Sequence, residues 1–169
     1  MRLREYRTMT PPQAAAIAEL AGLIWREHYT PIIGAEQVEY MLCKYQSAEQ
    51  IRADAAQHGF RYFTAEEAQS GELVGYCAGQ PQKDCLLISK LYVRKDRRGL
   101  GIARAFMEEM LTLCRSEYGL GKLRLTVNKH NDASIAAYRK MGFETTASVK
   151  VDIGGGFFMD DFIMERDVL

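Results

Sequence analysis

The sequence predicts an α+β domain with a mixed, mostly antiparallel sheet of six to seven strands, flanked by about four to five helices. The first reason is the order of hydrophobic patterns: one strand, a group of helices, three strands in succession, then helices and strands in turn. The second is length, since 169 residues are about the size of one domain. The third is continuity, because no internal repeat or Pro-, Gly- and Ser-rich linker interrupts the chain. We therefore interpret residues 1–169 as a single domain.

The first third of the chain is expected to form one strand and three helices. The strand is residues 3–7, and the helices run from Thr10 to the breaks at Pro31 and Gly34, over residues 36–44, and from Ser47 to about residue 57. Thr10 stands before two prolines, and proline is tolerated at a helix start because no intrahelical N–H bond is required there. Pro31 and Gly34 should break the pattern of the first helix. Ser47 and Gln50 have the spacing of a capping box, which predicts the start of the third helix.

The remaining chain is expected to form a group of strands and then two helices among further strands. The predicted strands are residues 60–65, 73–78, 85–93, 123–127, 143–152 and 157–165. Ser70 and Gly71 mark a turn between the first two, and three glycines at 154–156 join the last two. The predicted helices are residues 101–117 and 131–141, and a glycine follows each of them.

Composition excludes several classes of protein. Hydrophobic residues make up 47% and charged residues 26%, which is typical of globular chains and speaks against disorder. The 22 Lys and Arg residues balance 22 Asp and Glu residues, so no nucleic-acid partner is expected. No run of about 18 apolar residues exists, and the charged N-terminus is unlike a signal peptide. We therefore expect a cytoplasmic protein without a membrane segment.

The cysteines do not have a metal-binding pattern. Cys43, Cys77, Cys85 and Cys114 include no C-x-x-C pair and have no histidine at ligand spacing. Their neighbours are mostly apolar, which is typical of buried thiols in a reducing compartment. The sequence therefore predicts no metal site.

The sharpest functional signal is a glycine-rich loop that leads from a strand into a helix. Residues 91–104 read L-Y-V-R-K-D-R-R-G-L-G-I-A-R. The N–H groups at a helix start are unpaired and lie at the positive end of the helix dipole, so they can bind phosphate oxygens. Gly99 and Gly101 would let phosphates approach the backbone. The basic residues between Arg94 and Arg98 would raise the local positive potential.

Two other phosphate motifs do not match this loop. A dinucleotide fingerprint, G-x-G-x-x-G, would require glycine where Arg104 stands. A P-loop would end in G-K-[ST], which is absent. By itself, the loop is consistent both with an anion site and with a tight turn that has a solvated basic rim.

A second group of polar residues lies on one helix face, because Asn131, Ser134 and Tyr138 are spaced by three and four residues. Taken singly, Asn131 could be a helix cap and Tyr138 a half-buried core residue. Beside the loop, the Tyr138 phenol could protonate a leaving thiolate, since the reference pKa is about 10 for tyrosine and about 8.5 for a thiol. That transfer would assist a reaction rather than supply most of its rate.

With both groups in view, the chain resembles the GCN5-related N-acetyltransferase (GNAT) superfamily. The family's loop motif, R/Q-x-x-G-x-G/A, is matched from Arg98 to Ala103. The family's second motif, N-x-x-[AS]-x-x-x-Y-x-x-x-G-F, is matched in register from Asn131 to Phe143. The two motifs cover residues 85–145, and the order of elements agrees over nearly the whole chain. A GNAT-like fold is therefore expected.

The resemblance implies acetyl-CoA as the acetyl donor and an amine as the acceptor. The residues implied to bind the coenzyme are Leu91, Tyr92, Val93, Arg98, Gly99, Leu100, Gly101, Ile102, Ala103, Arg104, Asn131 and Ser134. In this scheme the pyrophosphate lies on the N–H groups of residues 99–104, and the pantetheine arm pairs with residues 91–93 like an added strand. Tyr138 is implied to face the thiolate, and Lys140 the 3′-phosphate.

The implied reaction is direct attack of a primary amine on the thioester within a ternary complex. An alkyl amine with a pKa near 10.4 is about 0.04% neutral at pH 7, a penalty of roughly 4.6 kcal/mol. In this family, several members that acetylate protein N-termini carry a glutamate base at the position of Thr126, which cannot serve as one. The base must then lie elsewhere, with Glu27 and His28 as candidates, or water must relay the proton.

Candidates for the acceptor site are mostly aromatic or ionisable residues of the first two helices: Trp25, Glu27, His28, Tyr29 and Tyr40. Trp25 and Tyr29 share a helix face that would either line a pocket or pack on the sheet. Asp160 and Asp161 lie on opposite faces of the last strand, so one of them could attract a cationic amine or remain solvated. In helix layout and tail, the chain is similar to the polyamine acetyltransferase branch, which implies a polyamine or another small amine.

Three alternatives stay open at this point. The acceptor could be a protein N-terminus or lysine, or the domain could bind CoA without catalysis. A nucleic-acid-binding role for the basic loop is disfavoured by the balanced charge. A homodimer is compatible with the sequence, which does not determine the oligomeric state.

Overall fold

The computed structural model describes residues 1–168 and has the predicted α+β architecture. Its strands are β1 Arg2–Tyr6, β2 Arg61–Glu66, β3 Leu73–Pro81, β4 Leu86–Val93, β5 Lys122–Asn128, β6 Glu144–Gly154 and β7 Phe157–Asp167. Within the described residues they form one seven-stranded sheet in the order β1-β2-β3-β4-β5-β7-β6. Neighbouring strands are antiparallel except β4 and β5, which are parallel. The predicted mixed, mostly antiparallel sheet is confirmed.

Five α-helices flank the sheet within residues 1–168. They are α1 Pro11–Ile33, α2 Ala35–Tyr45, α3 Ala48–Gln57, α4 Ile102–Thr112 and α5 Asp132–Lys140. A π-helical turn over Leu113–Glu117 extends α4, and a short 3₁₀ turn over Lys95–Arg97 follows β4. Among the described residues, none of the helices combines the length and the hydropathy that a bilayer crossing requires.

The predicted helix starts are confirmed, and α1 ends at Gly34, one of its two predicted breaks. The Ser47 hydroxyl accepts a hydrogen bond from Gln50 N at 3.2 Å, as a helix cap does. Pro31 does not interrupt α1, which continues to Ile33 and ends at Gly34. Proline removes a single N–H bond from the last turn, and the buried apolar face of the long helix offsets that loss.

The core has two parts, one on each face of the sheet. One cluster packs α1, α2 and α3 against the sheet, and the other packs α4 and α5 against it. β2 lies between the two clusters and is buried along its whole length, Arg61–Glu66. Helices therefore cover both faces of the sheet, and each face has its own hydrophobic core.

The parallel pairing between β4 and β5 is short, and this opens the sheet. It covers residues 86–88 of β4 and 123–125 of β5 and then stops. The β3–β4 register shifts at the same level, where Ser89 is left without a partner between Ile88 and Lys90. A β-bulge of this kind bends the strand. Residues 91–93 therefore pair with β3 on one side and with no strand of the described chain on the other.

Candidate active site

The end of the β4–β5 pairing opens into two neighbouring cavities. The loop cavity, of about 390 Å³, is lined by the glycine-rich loop, α4, α5 and part of α1. The inner cavity, of about 300 Å³, lies between the sheet and helices α1 and α2. The two linings share Tyr29, Leu91, Tyr92 and Tyr138. Molecules that occupy both cavities would meet at these residues.

The last part of the glycine-rich loop, residues 99–104, holds its N–H groups without backbone partners among the described residues. Gly99 and Gly101 have φ angles of 77° and 83°, in the left-handed region that side chains other than glycine disfavour. No side chain caps α4 at Gly101, and the first helical bond is Ala105 N to Gly101 O at 2.9 Å. The N–H groups of residues 99–104 have no backbone acceptor within residues 1–168. The geometry is that of an anion site at a helix start.

Only part of the basic loop faces the loop cavity. Arg97, Arg98 and Arg104 line it, whereas Arg94 pairs with Asp96 and Glu72 away from it. The Arg98 Nε donates a hydrogen bond to the Val93 carbonyl at 3.1 Å and so ties the loop to the end of β4. Leu100 is 67% exposed and does not line either cavity, so any contact it makes there would be through its backbone.

Asn131 caps α5 and also faces the inner cavity. Its Oδ1 accepts a bond from Ser134 N at 3.4 Å and lies 3.2 Å from His28 Nε2. Because an amide oxygen only accepts, His28 Nε2 carries the hydrogen in this contact. The Asn131 Nδ2 is buried without an acceptor among the described residues, so it is available to a ligand. Ser134 itself lines the loop cavity.

Tyr138 lies between the cavities and is part of both linings. Its ring packs 6.0 Å from that of Phe143, which is buried in the α4–α5 core cluster. Burial raises the pKa of Tyr138 well above its ordinary value, and the nearby Tyr29 and Cys77 groups raise it further. Tyr138 is therefore a protonated hydrogen-bond donor across the neutral pH range.

Aromatic rings form one wall of the inner cavity. The ring centroids of Trp25 are 4.6 Å from Tyr29 and 5.5 Å from Tyr92. Trp25 is buried in the α1–α3 core cluster and also lines the cavity. Burial raises the pKa of Tyr29 to about 12, with a smaller contribution from Asp161.

Two buried charged residues line the inner cavity, Lys90 and Asp161. The Lys90 ammonium lies 3.3 Å from Asp54 Oδ2, so its charge is compensated. Asp161 is 8% exposed, and no lysine or arginine of residues 1–168 pairs with it. Burial, with the charge of Asp160, raises the pKa of Asp161 to about 6. Asp160 points elsewhere and pairs with Lys129.

Other predicted acceptor residues lie outside the inner cavity. His28 lines the loop cavity, and burial lowers its pKa, with Arg98 contributing. Glu27 is exposed and lies 3.9 Å from Lys95. The Tyr40 hydroxyl donates to the Ile153 carbonyl at 2.6 Å and so holds the β6–β7 turn rather than a ligand.

Several residues of the inner cavity had no signal in the sequence. Lys90 faces this cavity because the bulge at Ser89 changes the alternation of β4, which cannot be foreseen from the strand pattern. Gln37, Met41 and Met159 come from α2 and β7 and meet only in the folded chain. Among residues 1–168, no group of His, Cys, Asp and Glu side chains could hold a metal ion.

A sheet that opens beside a helix start, with an anion site and a second cavity next to it, gives the domain room for two ligands that meet. Residues 17–143 match the sequence profile of the Acetyltransferase (GNAT) family. The chain belongs to this family, which confirms the resemblance that the two sequence motifs indicated.

Individual relatives differ in what their names describe. The chain is 27% identical over 101 residues to the L-amino acid N-acetyltransferase AaaT of Escherichia coli K12, a match that covers 57% of this chain and only 62% of that curated relative. Among solved structures, it is similar to the PaiA N-acetyltransferase of Thermoplasma acidophilum in complex with coenzyme A, at 19% identity, a TM-score of 0.80 and 99% coverage of both chains. It is also similar to Ard1 of Thermoplasma volcanium, at 23% identity, a TM-score of 0.63, and 99% and 97% coverage. These structural likenesses concern the fold.

Proposed function

We propose that this protein transfers the acetyl group of acetyl-CoA to a primary amine of a small molecule by direct attack within a ternary complex. The observation that carries this proposal is the pair of cavities that meet at Tyr92 and Tyr138, where β4 and β5 separate. The coenzyme would occupy the loop cavity and the acceptor the inner cavity.

The loop cavity fits a coenzyme A chain by the groups it leaves unpaired. The free N–H groups of residues 99–104 would hold the pyrophosphate. The free edge of residues 91–93 would pair with the amides of the pantetheine arm, as an added strand does. A backbone N–H on this edge would stabilise the oxyanion that forms on the thioester carbonyl. Ser134 would add a polar contact in the loop cavity, and Asn131 Nδ2 would add one from the neighbouring inner cavity.

Tyr138 would stabilise the leaving sulfur by hydrogen bonding. Because its pKa is raised far above that of a thiol, complete proton transfer to the thiolate is uphill. The phenol would therefore keep its proton while the C–S bond breaks and donate a hydrogen bond to the developing negative charge. Such a contact is worth about one to two orders of magnitude in rate.

The inner cavity supports a small acceptor over a protein chain. Its volume of about 300 Å³ is at the lower end for small-molecule sites. Gln37 of α2 donates to the Phe158 carbonyl at 2.7 Å, and Tyr40 donates to the Ile153 carbonyl, so α2 and the β6–β7 turn close one side. A polyamine or another small amine is the acceptor we propose.

The test is a panel of amines with acetyl-CoA, read by release of free thiol. We expect turnover of small primary amines and a 10- to 100-fold lower kcat in Tyr138→Phe, about the value of one hydrogen bond to a charge. Tyr6→Phe is the control, since Tyr6 is a partly buried tyrosine of β1 that lines neither cavity. Turnover of peptides alone would show a protein acceptor, and acetyl-CoA binding without any turnover would show a binding module.

A further inference from the structure

We propose that Asp161 is the counter-ion and the proton acceptor for the acceptor ammonium, and that the inner cavity therefore selects aliphatic amines without a carboxylate beside the nitrogen. This inference rests on the proposed acetyl transfer and extends it to the substrate class. It starts from a buried carboxylate that has no cation of its own.

Asp161 is a buried carboxylate without a paired cation among the described residues. It is more than nine-tenths buried, and its side chain lines the inner cavity together with Tyr29, Tyr92 and Tyr138. Neighbouring cations are engaged by other carboxylates, Lys90 by Asp54 and Lys129 by Asp160. A buried ion without a partner is costly, and such groups in clefts are frequent at functional sites. A cationic ligand would remove this cost.

The rings beside Asp161 suit an ammonium rather than an anion. Trp25, Tyr29 and Tyr92 lie within 6.3 Å of one another, measured between ring centroids, and line the same cavity. The negative face of an aromatic ring attracts a cation, most strongly where water is excluded. Carboxylate and rings together form a site for one positively charged nitrogen next to the meeting point of the two cavities.

The groups around Asp161 leave its carboxylate able to take up a proton. On β5 the Thr126 hydroxyl donates to it, and on β7 the adjacent Asp160 repels a second negative charge. Lys129, after β5, acts on Asp161 from a greater distance because it is bound to Asp160.

The phenols of Tyr29 and Tyr92 face the Asp161 carboxylate from α1 and β4 and stay protonated, since burial raises the pKa of both. Among the charges that reach the inner cavity, Lys90 on β4 is paired with Asp54. From β6, the residue paired with Asp161 is the uncharged Val149.

The proton movements balance with Asp161 in this role. The ammonium R–NH₃⁺ gives one proton to the Asp161 carboxylate, and the freed lone pair forms the N–C bond. The C–S bond breaks with its electron pair on sulfur, and the second proton leaves nitrogen and ends on that sulfur. The first proton passes from Asp161 to solvent. The sum is R–NH₃⁺ and acetyl-CoA giving the acetamide, CoA thiol and one proton.

A carboxylate beside the reacting nitrogen would be poorly tolerated. It would lie close to Asp161, and the remaining cation of the inner cavity, Lys90, is already held by Asp54. Desolvation of such a carboxylate without a partner is unfavourable. Specificity would therefore arise from repulsion as well as attraction.

The test compares n-pentylamine with L-norleucine, which is the same chain with an α-carboxylate. We expect kcat/KM to be at least 100-fold higher for pentylamine in the wild type. Asp161→Asn should lower kcat/KM for pentylamine about 100-fold, within the range for loss of a general base, and remove an acid limb near pH 6. The control is Asp160→Asn, the adjacent carboxylate outside the inner cavity, which should retain activity and keep the acid limb, moved to lower pH because the charge of Asp160 no longer raises the pKa of Asp161. Equal losses in the two variants, or preference for L-norleucine, would overturn the proposal.

A binding measurement separates this proposal from the proposed acetyl transfer. Pentyltrimethylammonium carries the charge but cannot be acetylated, and its binding can be followed by calorimetry. Binding that is at least 10-fold weaker in Asp161→Asn, with unchanged acetyl-CoA binding as the folding control, supports the ammonium site even if no amine is turned over. Unchanged binding of the quaternary ammonium in that variant would refute the site, whatever the activity.

Discussion

Asp161 illustrates how a single side chain can be held in an unfavourable state. Its folded pKa of about 6 lies above the ordinary value of 3.8, so the folded protein binds a proton more tightly than the unfolded chain does. By linkage, the stability that this group contributes is present below about pH 4 and is lost as the pH rises through 6. At pH 8 the ionised carboxylate costs on the order of 3 kcal/mol in the free protein.

Asp161→Asn should therefore raise the melting temperature at pH 8 relative to the wild type and raise it much less at pH 5. The reason is that asparagine removes the buried charge, which the wild type carries only at the higher pH. Thermal unfolding of both proteins at the two pH values, without ligands, measures the difference. A change of equal size at both pH values would show that the buried charge is not the cause.

Some of the individual site residues could be predicted from the sequence. The glycines of the loop and the cap at Asn131 are local features, because they depend on backbone conformation within a few residues. Sequence alternation also placed Asp160 and Asp161 on opposite faces, but it could not say which face would hold a cavity. Lys90 was beyond prediction, because its direction depends on an unpaired residue in β4.

The start of α4 depends on the backbone conformation of Gly101. Gly101 has a φ of 83°, and the space where a side chain would begin is open. Its substitution is therefore opposed by backbone strain and not by a clash. Strain at this point would turn the N–H groups of residues 99–104 away from their present direction.

Gly101→Ala should lower stability by roughly 1–2 kcal/mol and weaken acetyl-CoA binding by about 10-fold. The matched control is Gly121→Ala, since Gly121 has open space around it and no positive φ. Calorimetric titration and thermal unfolding check the two effects. Weaker binding in Gly121→Ala as well, or unchanged binding in Gly101→Ala, would argue against the loop as the pyrophosphate site.

The β6–β7 turn closes the inner cavity through its contact with α2. The Lys44 ammonium and the Tyr40 hydroxyl both donate to the Ile153 carbonyl, and β7 then carries Met159 and Asp161 into the cavity wall. A Cβ at Gly155 would lie 3.0 Å from the Tyr40 ring, whereas a Cβ at Gly156 would meet nothing within 4 Å. Both glycines have positive φ, so the backbone strain of substitution is similar.

Substituting Gly155 and Gly156 one at a time distinguishes the effect of a contact with Tyr40 from the effect of backbone strain. Gly155→Ala should push the turn away from α2 and raise KM for the amine several-fold more than Gly156→Ala does. Acetyl-CoA affinity should stay unchanged in both variants, because the turn does not line the loop cavity. Steady-state kinetics with the amine varied would show the difference, and equal KM values for the two variants would contradict it.

The order and type of the elements could be predicted because hydrophobic spacing and turn residues are local. The insertion of β7 between β5 and β6 could not, since it depends on contacts between distant strands. The same holds for the end of the β4–β5 pairing. Both features shape the two cavities. The position of the binding site was therefore indicated by the family resemblance and not by the strand pattern.

The molecule as a whole keeps nucleophiles away from the point where the two cavities meet. The shared lining consists of one leucine and three tyrosines, and burial raises the pKa of each of the tyrosines, Tyr29, Tyr92 and Tyr138. Cys77 is buried with a raised pKa, and none of the cysteines lines either cavity. An acetylated enzyme intermediate would therefore have no thiolate or phenolate to form on.

Direct transfer between two bound ligands predicts a specific kinetic pattern. Double-reciprocal plots with acetyl-CoA and amine both varied should intersect, because both substrates must be bound before either product leaves. Protein incubated with radiolabelled acetyl-CoA alone and then denatured should retain no label at the site. Parallel lines together with stoichiometric labelling would instead require a covalent intermediate. Such a result would mean that one of the shielded groups becomes accessible when the coenzyme binds. The first candidate would be Cys77, because it is the thiol that contributes to the raised pKa of Tyr138.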